Sequence, residues 1–246
     1  MSQAMSQPVV LQASEHKDLR VITQHGAAYG DDVMFGLTFP LEFRDVQAHY
    51  PIVFRKTVDA AGHPAGYEAL TLFGLQDGEN LFLDEGAHGG WDASYVPLAV
   101  RRQPFAIGRR GDQLNILIDP AHPRVSTTHG EPLFLQYGGS SAYLEHVDGM
   151  LSAIHEGMLG MPAFLAALVE YELLEPFAVN IELSDGSEHR LVGFETINEE
   201  RLLALPGAAL ERLSRAGHLQ AIYMAMASLT HLRDLIARKE RRRARG

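Results

Sequence analysis

The chain has no cysteine among its 246 residues. This absence excludes disulfides, thiolate metal sites such as zinc ribbons and iron–sulfur clusters, and cysteine nucleophiles. The chain also has no run of about 18 consecutive apolar residues, because Glu, His or Gly interrupts each apolar segment. Its polar start lacks the basic and apolar regions of a secretory signal. We therefore expect a cytoplasmic protein with no membrane span.

Several motifs of catalysis and nucleotide binding are also missing. The sequence contains no Gly-x-Ser-x-Gly elbow, no Gly-x-x-x-x-Gly-Lys-Ser/Thr loop, no Gly-x-Gly-x-x-Gly after a predicted strand and no His-Glu-x-x-His. These motifs position nucleophiles, phosphates and zinc ions. The sequence therefore assigns no catalytic residue and no cofactor.

Basic residues are fewer than acidic ones, with 21 Lys and Arg against 31 Asp and Glu and a formal net charge of −10. The basic residues concentrate at the end, where residues 238–246 carry six of them and only Glu240 as an acid. An acidic body argues against general nucleic-acid binding. We interpret the basic tail as a frayed, solvated helix end whose cations suit the negative end of the helix dipole. The alternative is contact with RNA, an anionic membrane or an acidic partner.

Residues 9–140 alternate short β-type runs with turn residues, in a chain whose 46% hydrophobic and 21% charged content is typical of globular proteins. We expect one domain, residues 1–246. Strands are predicted near residues 20–22, 52–54, 67–74, 80–84, 105–108 and 114–119. We expect the first three of these to share one sheet, with a hairpin loop at residues 59–66.

The hydrophobic period becomes helical over residues 141–238. Pro162 suits the first turn of a second helix, and Asn198 suits a helix cap. Asp-Gly between two apolar runs predicts a β-hairpin near 177–194. The predicted fold class is α+β, with a β-rich N-terminal half, antiparallel or mixed, covered by a mainly helical C-terminal half. The Met- and Leu-rich last helix is our hypothesis for a homodimer face.

The densest group of recognition side chains lies in residues 88–105. It comprises Trp91, Asp92, Tyr95, Arg101 and Arg102. Aromatic rings stack on planar ligands and guanidiniums fork around anions. We interpret this loop as ligand-binding, with the two rings stacking, one arginine meeting an anion, and Asp92 orienting the guanidiniums or a ligand hydroxyl. In the structural alternative, the rings anchor the loop to the core and the arginines pair with acids.

A metal-dependent oxygenase or hydrolase is the functional alternative. His16 and Asp18 have the His-x-Asp spacing of two ligands in a non-haem iron site. His88 and His189 are further candidate ligands, but no third ligand has an assignable position. We therefore predict no metal site from the sequence.

Blocks along the chain resemble, in their order and spacing, those of the bacterial SapC-like family. The blocks are residues 16–21, 40–43, 50–54, 78–82, 91–97, 101–105, 130–134, 191–194, 198–202 and 217–220. The resemblance extends from about residue 9 to residue 238. The family is named after a surface-layer locus and is distinct from the peptide-transport permease that is also called SapC.

The resemblance implies a function only through association. Family members are often encoded near flavin-dependent tryptophan-halogenase-like proteins, cupin-like oxygenases and TonB-dependent receptors, so a halogenase-like flavoenzyme is the implied partner. The family supplies no catalytic residues to carry over. We hypothesise a non-catalytic binding or accessory protein linked to surface-nutrient uptake, halogenase-type or surface-layer loci.

Overall fold

A computed structural model describes residues 7–110 and 113–245, so the polar start at residues 1–6 lies outside the described part. The helices are α1 (Ala13–His16), α2 (Phe43–Val46), α3 (Leu98–Arg101), α4 (Ala142–Glu170), α5 (Glu199–Leu203), α6 (Gly207–Arg215), α7 (His218–Ser228) and α8 (Leu232–Arg245). The strands are β1 (Val9–Val10), β2 (Arg20–Val21), β3 (Phe35–Leu37), β4 (Ile52–Val58), β5 (Pro64–Leu72), β6 (Phe105–Arg110), β7 (Gln113–Ile118), β8 (Val125–Ser126), β9 (Glu131–Pro132), β10 (Leu174–Glu182) and β11 (Glu188–Ile197). Short 3-10 helices are Ala27–Tyr29, His88–Gly90 and Leu229–His231. The fold class is α+β, as predicted.

Two compact units make up the chain, and each draws on separate stretches of sequence. Unit 1 contains the residues up to Asp31, Leu83–Asp92 and Leu98–Glu156. Unit 2 contains Asp32–Phe82, Ala93–Pro97 and the residues from Gly157 onward. Helix α4 therefore contributes its first half to unit 1 and its second half to unit 2.

Unit 1 contains two three-stranded antiparallel sheets, ordered β1-β7-β6 and β8-β2-β9. Strands β6 and β7 confirm the predictions at residues 105–108 and 114–119. The expectation of one sheet for the first three predicted strands was wrong, because β2 pairs with β8 and β9. Val21 of β2 is buried in the unit 1 core. That core consists of Val21, Phe105, Ile118, Leu133, Leu144, Val147, Met150 and Leu151.

Unit 2 is built on a five-stranded antiparallel sheet ordered β10-β11-β4-β5-β3. The predicted hairpin is confirmed, since β10 and β11 pair antiparallel. The pairs run from Leu174 with Ile197 to Glu182 with Glu188, and one β-bulge interrupts them. Its turn places Gly186 at a φ of 80°, a conformation that glycine adopts readily, and Asp185 Oδ1 accepts from the Ser187 amide at 3.0 Å. The predicted β4–β5 hairpin is also present.

The predicted strand at residues 80–84 is wrong. Asn80 Oδ1 accepts a hydrogen bond from the Phe82 amide at 3.0 Å, and such a local side-chain bond offers the backbone an alternative to a strand ladder. Leu83 and Trp91 form only an isolated bridge. This segment is therefore a turn.

Helix α4 is continuous through Pro162, so the prediction that a second helix starts there was wrong. Proline inside a helix removes one backbone hydrogen bond. Buried apolar side chains follow the proline, and Phe164 packs edge-on against Phe43 with ring centroids 5.9 Å apart. This packing in the unit 2 core offsets the missing hydrogen bond.

Helix α4 is also long and apolar enough to cross a membrane by length and composition alone, although buried core helices meet the same criteria. In its most apolar window, 22% of the residues are buried. The sequence-based expectation of no membrane span therefore stays a prediction.

The basic tail is helical in α8 as far as Arg245, and residues 241–244 are exposed, which agrees with the interpretation of a solvated helix end. The Lys239 ammonium is buried against the Glu79 carboxylate. Arg242 donates to the Asn80 carbonyl at 2.8 Å, and Arg243 contacts Asp185. Three of the basic side chains that RNA, a membrane or an acidic partner would need are thus engaged inside unit 2.

Candidate functional site

A polar pocket of about 230 Å³ lies in unit 1. Its polar walls are His25, Arg101, Arg124, Tyr143 and His146, with Thr23 and Gln103 beside them. Val147 and Met150 supply the apolar wall. We call it the unit 1 pocket.

Arg124 forms the innermost wall of the pocket and is only 2% exposed. It follows β7, in a turn where its own amide donates to His122 Nδ1 at 3.2 Å. Its Nη1 donates to the carbonyls of Ile22 and Gln24, at 3.0 and 2.6 Å. Its Nη2 lies 2.6 Å from Asp31 Oδ2. The guanidinium thereby fixes the backbone that forms one side of the pocket.

Asp31 supplies the counter-charge to Arg124. Burial raises the pKa of Asp31, but hydrogen bonds from His25 and the Gly26 amide and the charge of Arg124 outweigh burial and hold the pKa below its usual value. The carboxylate is therefore ionised at neutral pH. The Nε of Arg124 is different, because it is buried without a hydrogen-bond partner in the described part of the chain. Leaving a buried donor without a hydrogen-bond partner costs about 1–3 kcal/mol of folding stability.

His25 connects the pocket to the loop at residues 88–105. Its Nδ1 lies 3.1 Å from Arg124 Nη2, and its ring meets Trp91 edge-on with centroids 5.4 Å apart. The His25 amide donates to the Gly89 carbonyl at 2.7 Å. A Cβ on Gly90 would lie 2.2 Å from the His25 carbonyl oxygen, so glycine is required for this approach. The Gly-Gly-Trp segment therefore positions His25.

Arg101 and His146 form the mouth of the pocket, from α3 and α4. Arg101 Nη2 lies 2.8 Å from His146 Nε2. In the described residues, Arg101 has no carboxylate within ion-pair distance. Within the described part of the chain its guanidinium is therefore a cation without a counter-charge, and guanidiniums recognise carboxylates and phosphates through paired hydrogen bonds.

Tyr143 adds a neutral hydrogen-bonding group to the same pocket. Burial raises the pKa of Tyr143 to about 12. Its hydroxyl thus keeps its proton at any physiological pH. Together with Arg101, it gives the pocket walls two donors, and donors of this kind suit an anion.

The predicted site residues are distributed differently from the expectation. Arg101 lines the pocket, whereas Trp91 is 3% exposed and packs behind His25. Asp92 is exposed and outside the pocket lining. Tyr95 belongs to unit 2, where its hydroxyl donates to Glu42 at 2.9 Å. Arg102 donates to the Phe105 carbonyl at 2.8 Å, and burial lowers its pKa.

These positions revise the roles given to the loop. The buried ring of Trp91 offers no stacking face at the surface, so Trp91 supports the pocket through His25. The hydrogen bond of Tyr95 matches the structural alternative, in which the two rings anchor the loop. Arg102 bonds a backbone carbonyl, whereas that alternative paired the arginines with acids. Of the five predicted residues, Arg101 alone among those described lines the unit 1 pocket.

His25, Arg124, Tyr143 and His146 were not among the predicted site residues. His146 lies on the polar side of a predicted helix, so its helix position was available as a weak signal. Arg124 lies in a turn between two short strands, and arginine is rarely buried. No pattern in the sequence indicates that it forms the base of a pocket.

The residues proposed for a metal site do not come together in the structure. Across residues 7–110 and 113–245, no group of three or more His, Asp or Glu side chains is arranged to hold a metal ion. His16 Nδ1 accepts from the Gln12 amide at 3.0 Å, and Asp18 is exposed. His88 lies in unit 1 and His189 in unit 2. The metal-dependent alternative therefore has no support from this geometry.

Comparison with known proteins gives one result. The SapC family model matches residues 11–235, which is well over half of the chain. No curated protein and no solved structure matches. The matched segment includes all the residues that line the unit 1 pocket. On this coverage the chain belongs to the SapC family.

Proposed function

We propose that this SapC-family chain is a non-catalytic binding protein that holds a small organic anion in the unit 1 pocket. The observation that carries the proposal is Arg101, a guanidinium without a carboxylate partner in the described residues, at the mouth of a polar pocket that Tyr143 also lines. An anion would supply acceptors to this guanidinium. The volume of about 230 Å³ is below the roughly 300–1,000 Å³ of pockets for drug-sized ligands, so the ligand is a small metabolite.

The proposal includes the accessory role implied by the family resemblance. A protein that binds a small anion could serve the surface-nutrient uptake, halogenase-type or surface-layer loci with which family members are associated. A halogenase-like flavoenzyme is the protein partner that this association suggests. A cytoplasmic location is part of the same proposal.

Binding is tested by isothermal titration calorimetry of the full chain with acetate, succinate, benzoate and inorganic phosphate. We expect at least one of these probes to bind, and we expect Arg101→Gln to weaken that binding by about tenfold or more. Arg44→Gln is the matched control, because Arg44 is exposed on α2 in unit 2 and its loss changes the net charge equally. Proton NMR of the incubated probe should show no chemical conversion.

Two results would overturn the proposal. One is equal weakening by Arg101→Gln and Arg44→Gln, which would indicate nonspecific attraction to positive charge. The other is the absence of binding by all four probes together with no retained small molecule in native mass spectra of the purified protein. Conversion of a probe would replace the non-catalytic description with an enzymatic one.

A further inference from the structure

A long apolar groove lies in unit 2 between the second half of α4 and the strands β3 and β5. Its volume is about 730 Å³. Its main apolar walls are Leu37, Tyr67 and Ala69 from the strand side, and Met161, Leu165 and Val169 from the helix. We call it the unit 2 groove.

Large apolar side chains around the groove are exposed to solvent. Leu37 is 44% exposed, Met158 is 41% exposed and Val169 is 52% exposed. Single exposed apolar residues are ordinary, but a contiguous apolar surface marks an interaction site. The lining positions on α4 run from Met158 to Glu170, a length of about 18 Å at 1.5 Å per residue. This length matches about three turns of another helix.

One end of the groove carries negative charge. Glu170 lies in the last turn of α4, which contains no basic residue, and a helix C-terminus itself carries partial negative charge. The other lining acid, Glu68, is paired with Arg55 at 2.7 Å. Nearby Arg201 is paired with Glu172. Glu170 has no ion-pair partner in the described residues, so this end of the groove favours a cation.

We propose that the unit 2 groove binds an amphipathic helix of a partner protein, with a Lys or Arg of that helix beside Glu170. Helix-in-groove recognition places apolar side chains at i, i+3 or i+4, and i+7 into such a surface. The basic last helix of a second copy is a poor occupant, because Leu235 of α8 is 1% exposed and Lys239 is already paired with Glu79 of its own chain. An anionic lipid surface would place negative charge against Glu170.

The probe is a fluorescein-labelled Leu/Lys peptide of about 14 residues with helical periodicity, titrated with the full chain in a fluorescence anisotropy assay. Two comparison peptides accompany it. One has the same composition in alternating order, and the other replaces Lys by Glu. We expect each comparison peptide to bind about tenfold or more weakly, because the first lacks an apolar helix face and the second places carboxylates beside Glu170.

Substitutions separate the groove from the general acidity of the protein. Ala166→Arg places a long cation on an exposed groove position of α4, and arginine is a good helix former. Leu203→Arg is the matched control, since Leu203 is 82% exposed in unit 2 and is not a groove residue. We expect Ala166→Arg to weaken peptide binding by about tenfold or more, and Leu203→Arg by less than about threefold. Glu170→Gln should weaken binding and flatten its salt dependence.

Circular dichroism of each variant establishes that it is folded before binding is compared. Two results would overturn the proposal that the groove binds a basic helix. One is equal weakening of peptide binding by Ala166→Arg and Leu203→Arg, and the other is equal binding of the Leu/Lys and Leu/Glu peptides. Sedimentation with neutral phosphatidylcholine vesicles that is lost in Ala166→Arg would identify the surface as lipid-facing instead. A dimer in native mass spectra that Ala166→Arg converts to monomer would identify a second copy as the occupant.

Discussion

The buried pair of Arg124 and Asp31 gives the sharpest prediction. Both side chains are 2% exposed and lie 2.6 Å apart. Removing one member of a buried pair leaves an uncompensated charge and costs about 3–5 kcal/mol. We expect Arg124→Met, which keeps most of the side-chain volume, to destabilise unit 1 by about that amount. At a urea m-value near 2 kcal/mol/M, the midpoint would fall by about 2 M.

The assay uses the single tryptophan of the chain. Trp91 is buried in unit 1 against His25, so its fluorescence reports the unfolding of that unit, whereas far-UV circular dichroism reports the helices of both. Arg44→Met removes an exposed guanidinium from α2 and should change stability by less than about 0.5 kcal/mol. A loss of less than about 0.5 kcal/mol in the free energy of unfolding for Arg124→Met would refute the reasoning.

Low pH disrupts the same ion pair by protonating Asp31. Because the pKa of Asp31 is below its usual 3.8 in the folded protein, its ionisation adds stability that is present above the unfolded-state pKa. That stability is lost as the pH falls from about 4 through the folded-state pKa. We expect the Trp91-detected stability of the wild type to decline over this range, and the decline to be smaller in Asp31→Asn. An identical acid dependence in both proteins would show that this carboxylate is not responsible.

Contacts in unit 2 give further predictions. Lys239→Met leaves the Glu79 carboxylate buried without its ammonium, and we expect a loss of about 3 kcal/mol in urea unfolding followed by circular dichroism; a loss below about 0.5 kcal/mol would refute this. Gly157→Ala would place a Cβ 2.1 Å from the ring of Phe39 and should cost about 1–3 kcal/mol by overpacking. Gly160→Ala, in the same helix with nothing within 4 Å of the new Cβ, should instead add up to about 1 kcal/mol. Thermal melts distinguish the two glycines, and the same shift for both would contradict the packing explanation.

Local chemistry made parts of the fold predictable. The Asp185-Gly186 turn specifies its hairpin because the required backbone conformation and the Asp side-chain hydrogen bond belong to adjacent residues. Asn198 caps α5 for a similar reason, accepting from the Arg201 amide at 2.7 Å. In both cases the interacting groups lie within three residues of each other. The sequence pattern therefore contains the whole interaction.

Tertiary packing overrode local preference elsewhere. Pro162 favours a helix start, but the buried residues on either side of it continue one apolar face into the unit 2 core. The apolar residues at 80–84 have strand composition, yet the Asn80 side chain turns the backbone instead. Neither outcome depends on hydrophobic periodicity alone. Local composition therefore did not determine the conformation of either segment.

The candidate site was predictable only at Arg101. His25, Arg124 and Tyr143 reach the unit 1 pocket from distant parts of the chain, and the sequence gives no register between β2 and its partners β8 and β9. Trp91 was predicted to stack on a ligand but its ring is buried, and a tryptophan beside glycines suits both a surface platform and a buried anchor. Deciding between them requires knowing that Gly90 lies against the His25 carbonyl.

The two proposed binding sites have opposite chemistry. Among the described residues, Arg101 in the unit 1 pocket has no acidic partner and Glu170 in the unit 2 groove has no basic one. A small anion suited to the pocket is repelled by the groove end, and a basic amphipathic helix suited to the groove is repelled by Arg101. The occupants are therefore different molecules, which agrees with an accessory protein that holds a metabolite and engages a partner. Because each site lies within its own unit, Arg101→Gln should leave peptide binding intact and Ala166→Arg should leave anion binding intact. Loss of both activities in either variant would indicate unfolding instead of a local effect.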